Sequence, residues 1–103
     1  MIRINGIDWR VLMVSPGHPC LSRSDGVMVL GCCDSVEQAI YIDETLNDFY
    51  LKKVLCHELT HAAMFSYNVE LSHDQEELLA NLLATYGQEI IAITNKIFKR
   101  IIE

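Results

Sequence analysis

In the run His57-Glu58-Leu59-Thr60-His61, four positions separate two histidines, and this spacing constrains the chain more than any other feature of it. The run lies in a segment whose apolar residues, Leu51, Leu55, Leu59 and Ala62, recur at helical steps. Asp43-Glu44-Thr45 and Asn47-Asp48 offer N-caps just before it, so a helix is expected over about Asp48 to Tyr67. On a helix, residues i and i+4 share one face, so both imidazoles can reach one cation at roughly 2.0–2.1 Å. Glu58 is turned 100° from His57, close enough to touch a water on that cation without binding the metal itself. Zinc brings such a water to a pKa of about 7, and a carboxylate can take its proton as it attacks a carbonyl. The neighbours Val54, Leu55, Ala63 and Phe65 imply a buried segment, where two histidines and a glutamate need partners. A metal ion supplies one.

A catalytic zinc needs a third protein ligand and one open position. The metzincin arrangement would require Gly at position 64 and His at 67; Met64 and Tyr67 stand there instead. His73 lies in a connecting segment, and His18, in Pro16-Gly17-His18-Pro19, reads as an exposed loop residue. The remaining candidates are the acids that open the next helix, Asp74, Glu76 and Glu77. Glu76 falls on the wheel with Leu83 and Ile90, whereas Glu77 falls with the small face of Ala80, Asn81 and Ala84. The wheel alone does not separate Glu76 from Glu77.

The rest of the chain sets the frame. Residues 2–14 carry an Asn5-Gly6 turn signal between β-prone runs, and 15–26 read as loop. Val27–Cys33 and Gln38–Ile42 read as strands joined at Asp34-Ser35. A second long helix, capped by Ser72 or Asp74, is expected to run to about Arg100. Its core stripe would be Leu79, Leu82, Leu83, Tyr86, Ile90, Ile93 and Ile97, with Gly87 as a weak point. The expected fold class is α+β: a minimal zincin-like single domain over 1–103, with a small N-terminal sheet packed on the active-site helix and a second helix.

Eight basic against fourteen acidic residues give a net charge of −6, which argues against nucleic acid as a partner. No apolar run approaches the roughly 20 residues needed to cross a bilayer. The opening Met1–Trp9, interrupted by Arg3, Asn5 and Asp8, does not read as a secretory signal. Cys20, Cys32, Cys33 and Cys56 show no CxxC spacing, so free thiols and a cytoplasmic location are expected.

Over residues 27–91 the chain resembles the ImmA/IrrE-like metallopeptidases, especially short versions from phages and other mobile elements. The resemblance rests on Gln38-Ala39-Ile40-Tyr41-Ile42, on Val54 through Ala62 with its HExxH, and on Glu77-Leu78-Leu79-Ala80-Asn81-Leu82-Leu83-Ala84. The last is similar to an E-x-x-A-N-x-F-A pattern, with Leu83 in the aromatic's place; Thr60 stands where glycine is frequent. The resemblance implies metal ligands His57, His61 and Glu77, the cofactor Zn2+ and Glu58 as general base. It also implies endopeptidase action on a protein or peptide substrate such as a transcriptional repressor. Residues 38–42 would form the cleft edge and pair with extended substrate. Tyr86 or His73 are candidates for stabilising the oxyanion, and Cys56 reads as packing. The alternative is a zinc-stabilised, non-catalytic binding or regulatory module, in which a side chain such as His73 or Cys56 would fill the zinc's fourth position.

Overall fold

A computed structural model describes residues 1–23 and 25–103. The first hairpin forms where the sequence places its turn. β1 (Ile2–Ile4) and β2 (Ile7–Val14) pair antiparallel, with Ile4 opposite Ile7. Asn5 and Gly6 take φ of 47° and 80°, the left-handed pair that a two-residue hairpin turn requires. β3 (Gly31–Asp34) and β4 (Ala39–Asp43) make a second antiparallel pair, and β4 also pairs parallel with β2. The sheet order is β1-β2-β4-β3.

Two sequence expectations need correction here. The strand expected from Val27 begins only at Gly31, because Val27, Met28 and Leu30 are about half exposed and have no sheet face to fill. The strand expected as the cleft edge, 38–42, is the sheet's interior: β4 is paired on both sides and every one of its residues is buried. The edge is β3.

Alternation along β4 divides the core. Ile40 and Ile42 join Trp9 and Ala62 on the helix side, while Ala39 and Tyr41 join Leu21 on the other. The second layer is closed by a short 3-10 turn, Pro19–Leu21, over Tyr41, Leu12 and Val14. Burying Ile40, Ile42 and Trp9 contributes on the order of 2 kcal/mol or more each. Trp9 also donates its indole N–H to Ser66 Oγ at 2.9 Å, and Asn5 donates to the Ser66 carbonyl, tying the hairpin to a helix end.

That helix, α1 (Asp48–Ser66), is capped by Asn47, whose side chain accepts from the Tyr50 N–H. α2 (His73–Leu82) starts at Ser72, which forms a reciprocal capping box with Gln75. The expected single helix to Arg100 is interrupted by a five-residue π turn, Leu83–Gly87, before α3 (Gln88–Ile102) continues it. Gly87 is buried there, and a Cβ on it would lie 3.3 Å from Leu83 Cδ2.

The expected core stripe is therefore corrected beyond Leu79. Tyr86, Ile90, Ile93 and Ile97 are all about half exposed, and α3 buries no residue. The π turn takes α3 out of α2's phase, and α3 projects beyond the sheet. The Cα radius of gyration, 15.3 Å, exceeds the ~13 Å of a compact chain this long, and the longest extent is 52 Å. No helix is long and apolar enough to cross a membrane, among the described residues.

Candidate metal centre

α1 presents His57, Glu58 and His61 toward α2, whose first turns carry Glu76 and Glu77. The capping box at Ser72 fixes where α2 begins and hence which way its acids point. Ala80, one turn on from Glu77, is fully buried, and its small side chain lets α2 lie close against the rest of the fold.

His57 Nε2 and His61 Nε2 are 3.2 Å apart. Glu77 completes a triangle, with Oε1 2.8 Å from His61 Nε2 and Oε2 3.4 Å from His57 Nε2. His57, His61 and Glu77 form a group able to hold a metal ion, with all three ligand atoms within 4.8 Å of one another. In a tetrahedral site with bonds of about 2.0–2.1 Å, ligand atoms sit roughly 3.3 Å apart, so the donor set fits such an ion.

Glu76 does something else. Its Oε2 lies 2.7 Å from His61 Nδ1, on the opposite side of the ring from Glu77. In the tautomer that donates Nδ1–H to Glu76, His61 turns the Nε2 lone pair toward Glu77 and His57. Two imidazole lone pairs and a carboxylate at these distances repel unless positive charge stands between them, and a cation is suited to that place. Burial lowers the pKa of His57, with Glu77 opposing and His61 reinforcing the shift, which favours the neutral ring. A neutral imidazole is the form that binds metal.

Glu58 is buried and stands apart from the three candidate ligands; its Oε1 is 3.9 Å from His57 Nε2. Burial raises its pKa from 4.5 to about 7, with Glu77 adding to the rise and His61 opposing it. The carboxylate is thus matched to proton transfer near neutral pH.

The sheet reaches the site through a glycine that sequence reasoning missed. A Cβ on Gly31 would lie 2.6 Å from Val54 Cγ1 and 3.1 Å from Glu58 Cγ. Only a residue without a side chain lets β3 press this closely on α1. Nothing local marks Gly31, since its requirement comes from a helix 20 or more residues later. Cys33 was also missed: it lines the cleft, and burial together with the charge of Glu58 pushes its thiol up to about 12, so it stays protonated.

The site opens into a cleft of about 690 Å³, bounded by Leu30, Gly31 and Cys32 on one side and by Tyr50, His73 and Asn81 on others. Of the remaining residues singled out by sequence, His73 lies at the first position of α2 and lines the cleft without joining the metal group. Tyr86 is exposed and outside the described cleft lining. Cys56 lines a separate groove with Leu83 and Ile91. His18 is not an open loop residue: its Nδ1 accepts from the Cys20 N–H at 3.1 Å and its ring stacks on Tyr41. All four cysteines are free. In comparisons with known proteins, no family model, curated protein or solved structure matches the chain.

Proposed function

We propose that this chain is a zinc-dependent metallopeptidase that cleaves a peptide bond of a protein substrate, with Glu58 as general base. The observation that carries this reading is the convergence of His57, His61 and Glu77 on one point beside a buried carboxylate that is not among them. Two imidazoles and one carboxylate are a donor set zinc takes in hydrolytic sites, with the fourth position left for water or substrate. Zinc, when bound, would supply a Lewis acid that polarises the scissile carbonyl and acidifies water. Glu76 keeps the proton of His61 on Nδ1 and so directs Nε2 inward. Glu58 accepts the proton of the attacking water and returns it to the leaving amine.

The free edge of β3, which lines the cleft at Gly31, Cys32 and Cys33, offers backbone groups to an extended peptide. The resemblance of the HExxH helix and the Glu77–Ala84 segment to ImmA/IrrE-like sequences supports the same ligands and a protein as substrate. The test is metal analysis of the purified protein, paired with Glu58→Gln. The expected result is one zinc per chain in both forms, with hydrolysis of a denatured protein substrate in the wild type only. Hydrolysis persisting in Glu58→Gln would refute the mechanism.

A further inference from the structure

α3 carries an apolar face that the described residues leave about half or more exposed. At 100° per residue, Ile90, Ile93, Ile97 and Ile101 fall within one 80° stripe, with Phe98 beside it. These residues are 54%, 49%, 51%, 74% and 58% exposed. Ile91 and Ile102 widen the face and are 59% and 65% exposed. At roughly 100 Å² per residue the seven expose about 700 Å², more than the 300–600 Å² of a typical monomer's largest patch and near the ~800 Å² each partner contributes to a standard interface.

The charges bordering this face say what fits it. Glu89, Lys96 and Arg100 all lie along the same flank, Glu89 in the first turn and Arg100 in the last. When two such helices pack antiparallel about a two-fold axis, each flank faces its own copy. Glu89 then meets Arg100 of the second copy, twice over, while the two copies of Lys96 lie near the axis. A parallel pair would instead bring the two basic last turns together. A bilayer surface is the poorer occupant, because a chain of net charge −6 is repelled by anionic lipid.

We infer that α3 is a dimerisation helix, packing antiparallel on α3 of a second copy through Ile90, Ile93, Ile97 and Ile101, with Glu89–Arg100 pairs closing one flank. None of α3's described residues lines the metal cleft. Dimerisation and metal binding are therefore separable, and either can fail without the other.

Sedimentation equilibrium of the purified chain tests this. Wild type is expected to show a reversible monomer–dimer equilibrium, and Ile97→Glu to raise the dissociation constant by about 30-fold or more at unchanged zinc content. Arg100→Glu, which leaves the apolar face intact, is expected to weaken the dimer several-fold, and Glu89→Arg combined with it to restore the dimer. A wild-type chain that stays monomeric at high micromolar concentration would overturn the inference. So would a double charge swap that fails to recover, or association of α3 with phosphatidylserine vesicles in place of a second copy.

Discussion

His61 Nδ1 is held by Glu76 Oε2 at 2.7 Å, while the next residue, Glu77, approaches the ring's other nitrogen at 2.8 Å. Two adjacent acids in one helix turn therefore grip the same imidazole from opposite sides. Neighbours 100° apart on α2 can do this because the two ring nitrogens lie at different corners of the imidazole. In the proposed zinc site one acid would supply a ligand, and the other would fix the tautomer and orientation of a ligand.

That division predicts two sizes of effect. Glu76→Ala is expected to weaken zinc binding by about 10–100-fold through loss of the carboxylate behind His61. Glu77→Ala removes a ligand and is expected to weaken it further. Competition with a chromophoric chelator measures both. Wild-type affinity in Glu76→Ala would mean that the 2.7 Å contact does not orient the ring.

The pH profile follows from Glu58. A general base must be ionised, so hydrolysis is expected to fall on the acid side as Glu58 takes up a proton. Its pKa of about 7 applies to the metal-free site; a bound cation favours the carboxylate. The acid limb of the zinc-loaded enzyme is therefore expected below pH 7. Rates of hydrolysis against pH at saturating zinc check this.

Stability of the metal-free protein should carry the same signature with a definite sign. The folded pKa of Glu58 is raised from 4.5 to about 7, so the folded state binds the extra proton. Its contribution is fully present below pH 4.5, is lost as pH rises from 4.5 to 7, and stays lost above. Glu58→Gln lacks this loss. It is expected to exceed wild type in stability above pH 7 by about 1–3 kcal/mol in the chelated protein. Urea unfolding at several pH values reads the difference, and equal slopes for the two proteins would contradict it.

At Gly31 the expected effect is steric. Gly31→Ala places a carbon against Val54 and the stem of Glu58. Relief requires β3 to shift from α1, at a cost of about 1–3 kcal/mol with reduced hydrolysis. Adding Val54→Ala should recover part of both, since the two positions are in contact. Thermal unfolding and activity of the single and double variants give the coupling.

What could be read in advance divides by distance along the chain. The hairpin at Asn5-Gly6, the capped helix from Asp48 and the His57–His61 pair are local, and each element's signal lies within its own residues. The parallel pairing of β2 with β4 was not legible, because register between strands 29 residues apart leaves no mark on either. Val27–Leu30 read as strand on composition alone, though the segment makes only an isolated bridge at Met28 and leaves Val27, Met28 and Leu30 about half exposed. Glu76 and Glu77 could not be separated on a wheel because both face His61. Ile90, Ile93 and Ile97 read as core because periodicity reports an apolar face without saying which molecule buries it.

The π turn at Leu83–Gly87 has a consequence for how this chain can vary in length. A π turn holds one residue more than regular winding needs over the same rise. Removing that surplus residue lets the helix wind evenly from His73 to its end while Glu77 keeps its bearing on the histidines and the isoleucines keep theirs. Five residues thus act as a slack link: the acidic end and the greasy end of one rod can be re-indexed against each other by that one position without disturbing either.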